Sequence, residues 1–475
     1  VTLTAEPGPA PELRQAAPLP RPWELLALSA PGAEALDALT ARLAAWLAAH
    51  PEAGLAAVAR ALHLRAGPGH RRVLVAKDAE DAAAALASRD PQRVFTAAPA
   101  AQEEDRPVAF LFPGLGEQYV GMARGLYRSE PVFREAFDRC AGLLLPLLGA
   151  DLREVVFPDT AEKEPGSAAG GGIDLRAMLM RMKEQGDAAT QRLNRTEMAQ
   201  PAVFAVDYAL GRLWLSWGIR PAGMIGHSLG EYAAAAVAGI LPLEGAAALV
   251  ARRARMISEL PGGIMLAVPL SEEETRPLLG GALDVGAVNS PTTCVVSGPE
   301  EAVAALEAEL AAREVVSRRL PTTHAFHSRM MEPIVPAFVE MLGRVEMGAP
   351  ELPVVSNVTG TWMTAEEARD PGYWARHLVQ TVRFSEGVQE LARDPRRVFV
   401  EVGPGQTLGA FARQAGASAQ VILPSLRPSY NKQPDTAFLL GSLGRLWLTG
   451  ARVEWEGLFP GGAPAAAELD GVFGA

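Results

Sequence analysis

Cysteine is nearly absent from this chain, with two residues in 475, Cys140 and Cys294. That excludes a disulfide-framed fold and a thiolate metal cluster, and leaves both thiols as ordinary buried side chains. Long apolar runs are also missing. No stretch reaches the roughly 18 residues that cross a bilayer, and the chain opens on a Pro- and Ala-rich segment instead of a basic, then apolar, leader. The expected location is therefore the cytoplasm, with no membrane partner. There is no basic excess either, because 44 Lys and Arg stand against 55 Asp and Glu for a formal charge of −11. Nucleic acid is excluded as a partner, since neutralising phosphates needs clustered positive charge. Arg313, Arg318 and Arg319 read as a solvated helix end. The chain lacks an initiating Met and stops abruptly at Asp470-Gly471-Val472-Phe473-Gly474-Ala475, so a segment of a longer polypeptide is expected.

Apolar residues make up 49% of the chain, enough at this length for two or three domains with a substantial core. Residues 1–22 lack periodicity and read as a flexible tether. In 23–105, strand-like 24–29 and 71–76 alternate with helical 34–49 and 79–87, forming a small α/β unit without a catalytic cluster. A larger domain follows in two parts, 106–263 and 324–420. Its strand-like runs 108–112, 223–225, 354–356 and 398–402, separated by helical stretches, predict a mostly parallel sheet covered by helices. Between the two parts, 264–323 runs β-α-β-β-α-β, with strands 264–268, 284–288, 293–297 and 315–320 and helices 272–279 and 301–313. That is a ferredoxin-like order. Gly-rich 166–172 reads as a loop, because it lacks the Lys and Ser/Thr of a phosphate loop. A closing segment, 421–475, holds a strand, a helix over 437–448 and a Trp-containing stretch. The expected fold is α/β, with an α/β-hydrolase-like large subdomain, an inserted ferredoxin-like small subdomain and a preceding small α/β linker domain.

Chemistry concentrates in Gly226-His227-Ser228-Leu229-Gly230, where the apolar strand Met224-Ile225 meets an alanine-rich helix. Glycines on both sides let the backbone turn sharply and present Ser228 as a nucleophile. The helix N-terminus behind it offers amides to a developing oxyanion. A serine nucleophile needs a base. His50, His63 and His70 fall in the small N-terminal unit, and His227 adjoins the nucleophile but points away by strand alternation. His324-Ala325-Phe326-His327 lies where the chain re-enters the larger domain and can face the turn. The Gly-rich turn Phe112-Pro113-Gly114-Leu115-Gly116-Glu117-Gln118 can supply a second oxyanion amide, from Leu115, beside that of Leu229. No acidic residue has an evident claim to complete a triad, and a main-chain carbonyl could orient the imidazole instead, at the expense of a weaker base. Of Arg252, Arg253 and Arg255, helical periodicity aims only some into a cleft, where a guanidinium would hold a carboxylate.

These motifs, together with Glu401-Val402-Gly403-Pro404-Gly405, resemble the malonyl-CoA:acyl carrier protein transacylase family. Residues 23–100 are similar to the linker between ketosynthase and acyltransferase in modular type I polyketide synthases, and 423–459 to the linker that follows the acyltransferase. The resemblance implies Ser228 as the acylated nucleophile and His327 as its base, with the amides of Leu115 and Leu229 as the oxyanion hole. It implies Arg253 as the partner of the substrate carboxylate and Gln200 as a pocket residue. It places the imidazole-orienting carbonyl at His377, whose side chain is then incidental. No bound cofactor or metal is implied. The substrate would be a CoA thioester, and the partners an acyl carrier protein and a ketosynthase domain of the same polypeptide. His324 and Phe326, with Leu229 after the serine, accompany malonyl selection in the family. Methylmalonyl or another extender, a proofreading thioester hydrolase using the same two residues, and a decayed docking domain are the alternatives. Leu115 and Glu117 depart from the family's usual polar residues, and Thr381 replaces a common Pro, a change expected to matter little beyond local rigidity.

Overall fold

A computed structural model describes residues 21–98, 105–158, 188–460, 462, 465, 467–469 and 471–473. The glycine-rich stretch 166–172 and most of the expected tether lie outside these residues. The tether's expected end at residue 22 is corrected by Arg21. Its guanidinium donates to both carboxylate oxygens of Glu130 at 2.7 and 2.8 Å and to the Leu458 carbonyl at 2.9 Å. A largely buried, two-pronged ion pair of this kind fixes the chain at that point.

In the N-terminal unit, β1 (Glu24–Ala30) pairs antiparallel with β2 (His70–Ala76), and β3 (Phe95–Ala97) adds to the other edge of β2. Alternation divides the residues of this small sheet between two cores. Leu26, Leu28 and Leu74 face the helices Ala33–Ala49, Leu55–His63 and Ala79–Ser88, while Leu25, Ala27 and Val73 join the main core. The second side is covered by the helix Asp435–Leu448. Gly444 there approaches so closely that an added Cβ would sit 2.9 Å from Leu25 Cδ1. The helix Leu55–His63 and β3 were not expected from the sequence.

The larger domain begins with β4 (Val108–Phe112) and β5 (Pro221–Gly226). The insert follows as β6 (Ile264–Val268), β7 (Asp284–Ser290), β8 (Thr293–Gly298) and β9 (Arg318–Arg319). The chain returns through β10 (Val354–Val355), β11 (Val398–Glu401) and β12 (Ile422–Pro424). The large sheet has order β10-β5-β4-β11-β12, every pairing parallel. Every residue of β4 is buried, as a strand covered on both faces requires, which is why its sequence is continuously apolar. Its last strand, β12, comes from the closing segment.

The insert's sheet has order β7-β8-β6-β9 with antiparallel pairings and packs its own core around Leu266, Val296 and Leu306. This is the ferredoxin-like arrangement. Two of its elements are shorter than expected. The helix over 272–279 is α-helical only over Glu272–Thr275 and tightens to a 3₁₀ turn at Arg276–Leu278, where Pro277 offers no amide to continue the ladder. The strand over 315–320 shrinks to β9, since Val316 is 86% exposed and has no core to pack against.

A short seam joins the two lobes. Val288 N donates to Val382 O and Val382 N to Gly286 O, both at 2.9 Å. Beside them the Thr381 hydroxyl donates to Val285 O at 2.7 Å. The substitution at 381 therefore matters more than expected, because a proline has no hydroxyl to make that bond. Both cysteines are buried thiols, and no helix among the described residues is long and apolar enough to cross a membrane.

Candidate active site

The turn between β5 and the helix Gly230–Val237 carries Ser228 with φ of 54°, a left-handed backbone that costs a non-glycine residue roughly 1–2 kcal/mol. Its two glycines are obligatory for space. A Cβ on Gly226 would lie 2.0 Å from Glu231 N, and one on Gly230 2.0 Å from Phe112 O. His227 N donates to Phe112 O at 2.8 Å, which ties the turn to the end of β4. His227 itself turns toward the insert, where its Nε2 lies 2.8 Å from Asn289 Oδ1.

His327 also sits at positive φ, 56°, and its Nε2 lies 2.5 Å from Ser228 Oγ. Both members of the pair are thus held in sparsely populated backbone conformations, a form of strain that persists only where the surroundings fix it. Nδ1 faces the Gln380 carbonyl at 3.2 Å, which assigns the ring proton to Nδ1 and leaves the Nε2 lone pair for the serine. Burial, reinforced by the nearby Arg253 and His227, pulls the His327 pKa down to about 3, so the ring is neutral at physiological pH.

The orienting carbonyl was expected at His377. The direct hydrogen bond comes instead from Gln380, with the His377 carbonyl making a weaker contribution. The helix Pro371–Val379 ends between them, and terminal carbonyls without intrahelical partners are free to point at the ring. The His377 side chain also lies beside the Ser228–His327 pair. It is buried, lies edge-on to His327 with ring centroids 5.8 Å apart, and stands 3.8 Å from Glu231 Oε2.

Arg253 projects inward from the helix Leu243–Ser258 while Arg252 and Arg255 are exposed. Its guanidinium is 1% exposed and donates from Nη1 to Gln200 Oε1. Its carbon lies 5.7 Å from the centre of the Tyr232 ring, and Nε has no partner among the described residues. No carboxylate of the described residues pairs with it. A buried cation without a counter-ion is costly, and its pKa is lowered by burial. Gln200, fully buried on the helix Thr196–Ser216, accepts from it and orients it.

Gly114 packs against the serine turn, its virtual Cβ 2.7 Å from His227 O. That brings the Leu115 turn beside the Ser228 turn, braced by Gly116 N donating to Gln118 Oε1 at 2.8 Å. Glu117 faces away and accepts from Thr407 Oγ1 at 2.7 Å, so the departure at 117 leaves the backbone amides unaltered. Neither the Leu115 nor the Leu229 amide donates to another group of the described residues. His324 and Phe326 are buried with ring centroids 6.2 Å apart, and His324 Nδ1 bonds the Thr323 hydroxyl at 2.8 Å. A cleft of about 760 Å³ at the lobe seam reaches His327 and is lined by Val285, Arg329, Gln380, Thr381 and Arg383.

A family model described as acyl transferase domain matches residues 109–453, and one described as CurL-like, PKS C-terminal matches 24–86. The chain belongs to the acyltransferase domains of modular type I polyketide synthases. This acyltransferase is 37% identical over 468 residues to polyketide synthase GfsA of Streptomyces halstedii, covering 94% of the chain but only 6% of that protein. It is 36% identical over 438 residues to mycoketide-CoA synthase of Mycobacterium tuberculosis (strain ATCC 25618 / H37Rv), covering 92% of the chain and 10% of that protein. The chain thus spans only a small part of the length of these synthases. Its fold matches the acyl transferase domain of ZmaA with a TM-score of 0.81 at 35% identity, over 93% of this chain and 97% of that one. It also matches the malonyl CoA-acyl carrier protein transacylase of Coxiella burnetii, with a TM-score of 0.58 at 26% identity over 72% and 98% of the two chains.

Sequence reasoning about the acyltransferase missed Gln380 and Asn357. Asn357 Oδ1 accepts the Ser228 amide at 2.8 Å, across 129 residues of chain, and nothing in the local pattern around 357 announces it.

Proposed function

We propose that this acyltransferase loads a malonyl extender unit from CoA onto the phosphopantetheine thiol of an acyl carrier protein, through an ester on Ser228. The observation that carries the reading is buried Arg253 without a counter-ion, held by Gln200 near the Ser228–His327 pair. A free carboxylate distinguishes malonyl from acetyl or a simple long acyl chain, and a guanidinium takes it in two charge-assisted hydrogen bonds. The likeness to a malonyl transacylase supports the same substrate class.

In the first half-reaction His327 Nε2 takes the Ser228 proton as Oγ attacks the thioester carbonyl. The oxyanion is received by the Leu115 and Leu229 amides. Collapse breaks the carbon–sulfur bond, and the proton on Nε2 passes to the departing CoA thiolate. In the second half the carrier thiol gives its proton to Nε2 and attacks the ester. The carbon–oxygen bond to Ser228 then breaks, and Oγ recovers the proton. Beyond the CoA thioester and the carrier thiol, these steps use only Ser228, His327 and the two amides of this chain, and no bound cofactor is proposed. Phe326 and His324 are proposed to restrict space beside the acyl α-carbon, disfavouring methylmalonyl. Residues 23–105 and 421–475 are proposed as the linkers flanking the domain, which would set it beside a ketosynthase of the same cytoplasmic polypeptide.

The test is intact-protein mass after brief exposure to equimolar malonyl-, methylmalonyl- and acetyl-CoA, with Ser228→Ala alongside. A malonyl adduct confined to the parent is expected. A dominant methylmalonyl adduct would overturn the extender assignment, and rapid release of free CoA without any adduct would favour a hydrolase.

A further inference from the structure

The nucleophile turn is held by a residue outside the motifs. β10 pairs with β5 in parallel, Val354 opposite Met224 and Val355 opposite Ile225, so the chain leaving β10 runs alongside the chain entering the turn. Two residues on stands Asn357, 1% exposed. Its Oδ1 accepts Ser228 N at 2.8 Å and its Nδ2 donates to Gly226 O at 2.7 Å, so one amide side chain clamps the two successive peptides that flank His227 and lead into the strained residue. The backbone of Asn357 is fixed in its turn. Its N–H donates to Glu231 Oε2 at 2.7 Å, and its carbonyl accepts Arg383 N at 2.7 Å. Glu231 is fully buried, and its Oε1 contacts the Tyr373 hydroxyl.

We infer that Asn357 is a positioning residue for acyl transfer: by occupying the Ser228 amide and the Gly226 carbonyl, it fixes the orientation of the two peptides that lead into the nucleophile. The inference rests on Ser228 being the acylated residue. Two consequences follow from the geometry. The Ser228 N–H is committed to Asn357 and is not an oxyanion donor, so that task falls to Leu229 and Leu115. In addition, the side chain that holds the turn touches neither the acyl group's carboxylate partner nor the base, so its loss should alter rate and leave substrate affinity alone.

The experiment compares Asn357→Ala, Asn357→Asp and Asn357→Leu with the parent chain, measuring the rate of Ser228 acylation by malonyl-CoA, its concentration dependence and the melting temperature. Misplacement of reacting groups by about 1 Å costs on the order of a hundredfold in rate. We expect a loss of roughly ten- to a hundredfold in the Ala and Leu variants, with half-saturating malonyl-CoA unchanged within about twofold. Asp keeps the acceptor for Ser228 N but not the donor to Gly226 O, and should fall between them and the parent. An acylation rate in Asn357→Ala within twofold of the parent would overturn the inference, as would losses that follow melting temperature with no advantage for Asp over Leu. Ser228→Ala separates the two readings. If it still forms an adduct, the nucleophile assignment has failed; if it does not while Asn357→Ala acylates normally, only the positioning role has failed.

Discussion

Two histidines in different regions make the same opening move. In the N-terminal unit, His63 is 4% exposed, its Nε2 lies 2.8 Å from the Leu25 carbonyl, and burial lowers its pKa to about 4. At the cleft of the lobe seam, His327 is 2% exposed, its Nδ1 lies 3.2 Å from the Gln380 carbonyl, and burial lowers its pKa to about 3. The difference lies at the other nitrogen. His63 Nδ1 has no partner among the described residues, and its ring stacks on Trp455 at 4.3 Å. His327 Nε2 meets Ser228 Oγ. Burial, a carbonyl anchor and a depressed pKa are therefore common to both rings; what sets His327 apart is a serine hydroxyl within reach.

The sharpest way to break this comparison is to exchange the two. His327→Ala should reduce Ser228 acylation by on the order of 10⁴- to 10⁶-fold, as removal of a base from a serine nucleophile does, whereas His63→Gln should leave the acylation rate within twofold. Stopped-flow or quenched-flow acylation rates decide this, and a large loss in His63→Gln would erase the distinction. Arg253→Ala comes next. Two charge-assisted hydrogen bonds together are worth about 3 kcal/mol, so malonyl transfer should fall about a hundredfold, with relative gain on acetyl-CoA. Equal malonyl kcat/KM in variant and parent would remove Arg253 from the site.

A smaller effect is expected from Phe326→Ser combined with His324→Tyr. A single methyl is worth about 1–3 kcal/mol in a shaped pocket, so malonyl preference over methylmalonyl should drop roughly 10- to 200-fold in direct competition. An unchanged ratio would show that selection lies elsewhere. The smallest effect concerns stability. For His63 the folded pKa is below the unfolded value of 6.5. Below pH 6.5 the unfolded chain therefore takes up the proton first, and the stability contributed by neutral His63 is lost as pH falls toward about 4. The gap in melting temperature between parent and His63→Gln should shrink between pH 7 and pH 5. A constant gap would mean that His63 does not titrate differently on folding.

The sequence made the nucleophile turn, the His-Ala-Phe-His segment and Arg253 legible because each is a short pattern whose chemistry is carried by adjacent residues. The strands β4, β5, β6 and β8 were legible because a buried strand must be apolar. Gln380 and Asn357 were not legible, because a carbonyl and an amide act here through contacts 53 and 129 residues away. No periodicity records such contacts. β3 and β9 are too short for alternation to show, and Arg21 looked like tether until its partner Glu130 was in place, 109 residues along the chain. The Thr381 hydroxyl was likewise undervalued, because its acceptor belongs to the other lobe.

That last bond ties alignment to closure. Gln380, which anchors the His327 ring, is followed directly by Thr381 and Val382, which stitch the insert to the large lobe. The lobes cannot part at this seam without tugging on the peptide that holds the imidazole. Under the proposed mechanism, a gaping cleft would admit water and at the same moment slacken the group that would activate it, so one seam would both align the imidazole and guard the ester.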